Sequence, residues 1–119
     1  MITEFAGKTA VLTGAGSGFG LECARIAAAR GMQLVLLDVQ QDALDRAVAE
    51  LSPQTTQCMA RCVDVSDATQ MQQVAHDVWA TMGAPHLVFN NAGVAAGGLV
   101  WENSLDDWNW VLGVNLWGV

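Results

Sequence analysis

Glycines crowd the segment Thr13-Gly14-Ala15-Gly16-Ser17-Gly18-Phe19-Gly20, which lies between an apolar run and a stretch of helical period. A loop there must turn sharply, let a diphosphate approach its backbone and pack a helix closely on a strand, and a residue without a Cβ meets each demand. The N–H groups around Gly18, Phe19 and Gly20 would face the anion, because the first N–H groups of a helix have no partners within it. A glycine loop alone is a weak signal. It gains weight from Asp38, which ends a second apolar run roughly 20 residues further on, where a carboxylate can accept from both hydroxyls of an adenosine ribose. The chemistry implied is the binding of a dinucleotide. That carboxylate would repel a 2′-phosphate, and neither Ser17 in the loop nor Val39 after the acid is basic. The expected cofactor is therefore NAD in preference to NADP.

The elements that must position these groups follow from the patterning. Thr9 to Thr13 is a short uncharged run leading into the glycines, and a helix is expected from Phe19 to Arg30, closed by Gly31. Leu34 to Leu37 is continuously apolar and stops at Asp38, as in a strand buried on both faces of a parallel sheet. Leu44, Ala47, Val48 and Leu51 fall on one face of a second helix, which 52–57 breaks. A weaker strand, Cys58 to Val63, leads to Asp64-Val65-Ser66-Asp67, where Ser66 or Asp67 can cap a third helix. In that helix Met71, Val74, Ala75, Val78, Trp79 and Met82 keep helical spacing. After Gly83-Ala84-Pro85, His86 to Phe89 gives a fourth strand running into Asn90-Asn91-Ala92-Gly93. Ser104 caps a last helix, with acids in its first turn and Leu105, Trp108, Leu112, Asn115, Leu116 and Val119 near one side. Strands alternating with helices must run parallel with right-handed crossovers. The expected fold is α/β, a doubly wound parallel sheet of Rossmann type with four strands and helices on both faces, binding its ligand beyond the strand C-terminal ends.

Composition narrows the function further. Of 119 residues, 52% are hydrophobic and 14% charged, enough for a single core, so residues 1–119 are expected to form a single dinucleotide-binding domain. Five Lys and Arg against twelve Asp and Glu give 5 − 12 = −7, which argues against a nucleic-acid partner. No apolar run reaches the roughly 18 to 20 residues that cross a bilayer, and the start MITEFAGK does not resemble a signal peptide. Neither a membrane partner nor export is expected. Cys23, Cys58 and Cys62 form no metal-ligand spacing, which suits a reducing, cytoplasmic setting with no metal site. Cys58 and Cys62 are four residues apart on one strand face, too far for a disulfide, and read as core thiols; His76 and His86 read as ordinary surface or strand-start residues. The late tryptophans Trp101, Trp108, Trp110 and Trp117 read as core packing or a helix–helix interface in preference to a substrate platform. A methyltransferase would also use a glycine loop, but usually with an acid just before it, where Leu12-Thr13 stands; a phosphoacceptor domain would need paired acids after its first strand.

Taken together, Thr13-Gly14-x-x-x-Gly18-x-Gly20, Asp38, Asp64-Val65, Asn90-Asn91-Ala92-Gly93 and Asn115 resemble the classical short-chain dehydrogenase/reductase family, from about Lys8 to the last residue. The resemblance implies that the loop Gly14 to Gly20, with Ser17, Gly18 and Phe19, holds the pyrophosphate, and that Asp38 and Val39 meet the adenosine ribose. Asp64 and Val65 would meet adenine, and Asn91, Ala92 and Gly93 would line the cofactor beside the fourth strand. Asn115 would take the catalytic proton-relay position, holding a water through its backbone. The implied activity is hydride transfer between a nicotinamide cofactor and a secondary alcohol or ketone.

In this family a Tyr-x-x-x-Lys pair transfers the proton and a serine positions the substrate oxygen. This chain has no tyrosine, and its only lysine is Lys8. The expectation is cofactor binding without turnover by these residues alone, in a domain truncated within its last helix. Leu87-Val88-Phe89 would then be an apolar sheet edge and the last helix would lack a partner, so self-association into a homo-oligomer is expected. The alternative function is a non-catalytic dinucleotide-binding or assembly module.

Overall fold

The computed structural model describes residues 3–119. Strands β1 (Thr9–Thr13), β2 (Gln33–Asp38), β3 (Cys58–Cys62) and β4 (Leu87–Phe89) form one four-stranded sheet in the order β3-β2-β1-β4. Every pairing is parallel, with Leu12 opposite Leu36 on one side and Phe89 on the other. Helices α1 (Gly18–Ala29), α2 (Gln41–Leu51) and α3 (Ala68–Met82) connect the strands, and α4 (Leu105–Leu112) follows β4. The doubly wound architecture is that expected from the alternation of patterns.

Because successive strand side chains point to opposite faces, the core divides in two. Ala10, Leu12, Leu34 and Leu36 meet Ala24, Ala27 and Ala28 of α1 and Leu44, Ala47 and Leu51 of α2. Val11, Val35, Leu37 and Met59 meet Val74 and Val78 of α3 on the other face. Leu34, Val35, Leu36 and Leu37 are all fully buried, which is why their run is apolar without alternation. The alanines of α1 let that helix approach the sheet closely, and Arg25 ties it to α2 through Glu50.

Cys62 and Trp79 depart from the sequence reading, whereas His86 and Asp67 fall within it. Cys62 is exposed, not a core thiol, because it ends an edge strand; its Sγ donates to the Val39 carbonyl at 3.4 Å. Trp79 shares the α3 stripe but is 67% exposed, since the helix meets the sheet mainly through Val74 and Val78. His86 is a strand-start residue with a defined task, its Nδ1 accepting the Thr9 N–H at 3.2 Å. Asp67, not Ser66, caps α3, its Oδ1 accepting from the N–H groups of Thr69 and Gln70 at 2.9 and 3.1 Å.

The backbone N–H of Gln70, and then its side chain, hold the Asp67 carboxyl below the usual carboxylate value; Gln73 first and Arg61 after it do the same for Asp77. A folded-state pKa below the unfolded one gives stability that is complete above the unfolded value of 3.8 and is lost as pH falls through the depressed one. The part of the urea-unfolding stability that these two carboxylates contribute should therefore be constant above about pH 5 and decline below about pH 4. Asp67→Asn, which retains an oxygen for the cap, should show a shallower decline.

Candidate functional site

The C-terminal ends of the strands open into a cleft of about 450 Å³. The β1–α1 loop contributes Gly14, Ser17, Gly18 and Phe19, the end of β2 contributes Asp38 and Val39, the turn after β3 Asp64 and Val65, and the segment after β4 Asn91, Ala92 and Gly93. Eleven of the twelve expected cofactor residues thus share one cavity, and Gly20 lies just behind it. Gly14 and Gly18 adopt φ of +63° and +53°, a region that L residues with a Cβ avoid. The position of a Cβ on Gly18 is open space, so the start of α1 is accessible from the cleft. Ser17, at the N-cap of α1, makes no side-chain cap, and the first turn contains no acid. Its N–H groups are left for an anion.

Gly20 serves packing. A Cβ there would stand 2.1 Å from the Gly14 carbonyl oxygen and 2.7 Å from Asn91 Nδ2. Asn91 is in turn fixed to β1, because its Nδ2 donates to the Thr13 carbonyl at 3.0 Å. Thr13 Oγ1 accepts the N–H groups of Asn91 and Ala92 at 3.0 and 2.9 Å. This nearly buried hydroxyl joins the two segments that frame the cleft, and it is a positioning residue the motif reading left out of the site. Thr13→Val keeps the shape and orphans both donors, so chemical denaturation should report a loss of about 2 to 3 kcal/mol.

At the other end, Asp38 is held by backbone donors: Oδ2 accepts from Gly16 N–H at 2.8 Å and Oδ1 from Gln40 N–H at 2.9 Å. Each oxygen keeps a further lone pair for a ribose hydroxyl. Asp64 Oδ1 accepts from Ser66 N–H and Oγ at 2.9 and 2.6 Å, and its Oδ2 has no donor among the described residues. The lining holds these two carboxylates and no basic side chain. A diphosphate would accordingly be held by helix N–H groups, with a carboxylate placed for an unphosphorylated ribose, and the residues fit a dinucleotide.

Asn115 lies outside this lining, in an adjacent cavity of about 270 Å³ with Ala95, Ala96, Asp107 and Trp108. Its Oδ1 accepts the Val94 N–H at 2.9 Å and its Nδ2 donates to the Val94 carbonyl at 2.8 Å. The amide is thus satisfied by backbone and fixes Val94, which lies between the two cavities. Ser104 caps α4, and the helix widens after Leu112 into a π turn over Gly113–Trp117 that contains Asn115. The stripe expected to continue through Leu116 and Val119 is exposed, and Val114 is the buried residue of this turn. Leu37, Gln40, Val63, Val94, Trp110 and Val114 complete the cleft and were missed. Only Gln40 had a sequence signal, as the neighbour of Val39.

Among the described residues no helix is long and apolar enough to cross a membrane, and no cluster of His, Cys, Asp and Glu could hold a metal ion. Residues 8–119 match the short chain dehydrogenase family. The chain is 38% identical over 116 residues to meso-2,3-butanediol dehydrogenase of Serratia marcescens, covering 98% of this chain and 45% of that protein. It is 35% identical over 117 residues to the C alpha-dehydrogenase of a Sphingobium species, covering 98% of this chain and 38% of that protein. A short-chain dehydrogenase/reductase from Burkholderia phymatum, solved in complex with NAD, superposes with a TM-score of 0.94 at 49% identity, over 98% of this chain and 42% of that one. The chain spans less than half the length of these relatives. It belongs to the short-chain dehydrogenase family, whose cofactor-binding portion it matches.

Proposed function

We propose that this chain is the NAD-binding part of an oxidoreductase that transfers hydride between a nicotinamide cofactor and a secondary alcohol or ketone. The observation that carries the reading is the convergence of the open α1 N-terminus, the oriented Asp38 and the Asn91-Ala92-Gly93 segment on one cleft. The nicotinamide, when bound, supplies the hydride acceptor or donor. The protein's own residues do the rest of the binding: N–H groups of α1 neutralise the diphosphate, Asp38 accepts from the adenosine ribose, and Asp64 with Val65 meets adenine. Ala92 and Gly93 form the wall beside β4, and Asn115, by fixing Val94, holds that wall in place.

NAD is preferred over NADP because the cleft meets a 2′-phosphate with carboxylate and no cation. The catalytic Tyr and Lys of the family have no counterpart among these 119 residues, so proton transfer requires groups this chain does not supply. Residues 1–119 form one domain, and the three free thiols suit a cytoplasmic location. Leu87 and Val88 on the β4 edge and the exposed Leu105, Leu116 and Trp117 favour self-association into a homo-oligomer.

A second reading is a non-catalytic dinucleotide-binding or assembly module, since the cleft by itself accounts for binding alone. Calorimetric titration with NAD tests what the two readings share, and incubation with NAD and a panel of small secondary alcohols, followed by NADH absorbance, tests the oxidoreductase. NADH formation supports the oxidoreductase; saturable NAD binding with no NADH is expected of these residues alone under either reading, and no binding of NAD would contradict both.

A further inference from the structure

We infer that Trp110 is the aromatic wall of the adenine end of the cleft, stacking on the base face while Asp64 and Val65 meet its edge. The inference rests on the dinucleotide reading of the site. Trp110 and Val114 stand one helical turn apart and both line the cleft.

The chain that follows fixes which end they occupy. The position of a Cβ on Gly113 lies 3.5 Å from Ser66 Cβ, and on Gly118 it would lie 2.7 Å from Val65 Cγ2. The π turn is therefore pressed against Asp64-Val65-Ser66, and glycine at position 118 is what permits the approach. Trp110 lies one turn before Val114, the residue of this π turn that lines the cleft.

Its exposure fits the role. Trp101 and Trp117 are 79% and 77% exposed, whereas Trp110 is 51% exposed, part of the indole covered and part open. Trp108 lines the adjacent cavity instead, so Trp110 is the sole indole of the cleft. A flat purine lying on the indole, with Val114 beside it, would bury apolar surface, and base–aromatic stacking adds affinity without requiring a hydrogen bond.

The test measures affinity for NAD, ADP-ribose and nicotinamide mononucleotide in the protein and in its Trp110→Ala and Trp110→Phe variants. Trp110→Ala should weaken ADP-ribose and NAD by roughly 5- to 100-fold, the range that base stacking supplies, and leave nicotinamide mononucleotide unchanged. Trp110→Phe should retain most of the affinity and lose the indole fluorescence quenching that ADP-ribose causes in the unsubstituted protein. This second variant conserves an aromatic ring and so reads the contact even where alanine perturbs α4. Unchanged ADP-ribose affinity in Trp110→Ala, or quenching that persists in Trp110→Phe, would overturn the assignment while the dinucleotide reading stands. Failure of the unsubstituted protein to bind NAD or ADP-ribose would overturn both.

Discussion

Asp38→Asn should collapse the discrimination between NAD and NADP. In the unsubstituted protein the carboxylate is held by the N–H groups of Gly16 and Gln40, so it cannot swing away from an approaching phosphate. A 2′-phosphate would bring close to two negative charges beside it, in a cleft that holds Asp64 and no cation, and like charges so placed cost several kcal/mol. The expected preference for NAD is roughly 100-fold or more, since each 1.4 kcal/mol is about tenfold in affinity. Asparagine retains the size of the side chain and removes the charge. It also turns an NH₂ group toward one of the two backbone donors, so NAD itself should bind about tenfold more weakly. Calorimetric titration of both cofactors should show the preference reduced by at least about tenfold, with NADP tighter than before. An unchanged ratio would place the ribose away from Asp38.

The second large effect is steric. Gly20→Ala would place a methyl carbon 2.1 Å from the Gly14 carbonyl oxygen, a distance at which something must move. The oxygen belongs to a residue at the end of β1 with φ +63°, and Asn91, the next contact at 2.7 Å, is hydrogen-bonded to Thr13. Neither neighbour is the loose end of a side chain. The helix must shift off the loop, which should cost about 3 kcal/mol and displace the N–H groups offered to the diphosphate. Gly18→Ala separates this clash from glycine's other use. A Cβ there meets nothing within 4 Å, so the cost is the left-handed backbone alone, about 1 to 2 kcal/mol. Urea denaturation of the two variants should rank Gly20→Ala as the more destabilised, and equal losses would remove the packing role.

Where interactions are local or periodic, the sequence was legible. Leu34 to Leu37 revealed β2 because burial on both faces demands an unbroken apolar run. The glycines, Asp38 and Asn91-Ala92-Gly93 were legible as a cleft because a parallel sheet carries all its strand C-termini to one edge. Side-chain environments that depend on what lies alongside were not. Cys62 read as core because its spacing from Cys58 sets the face, but spacing carries no information about an edge. The bond between Asn115 and Val94 joins residues 21 positions apart in sequence and leaves no periodic trace. Val114 escaped for a related reason. A stripe drawn at 3.6 residues per turn runs through Leu112 to Leu116 and Val119, whereas the π turn widens the helix there and brings Val114 inward.

Everything proposed for this chain depends on the cleft at the strand ends being a dinucleotide site selective for the unphosphorylated ribose. Titration of the purified protein with NAD and NADP in one calorimetric series tests it most directly. Saturable binding of NAD at one site per chain is expected, with NADP binding weaker by roughly 100-fold or more. Tighter binding of NADP, or no binding of either cofactor, would contradict it.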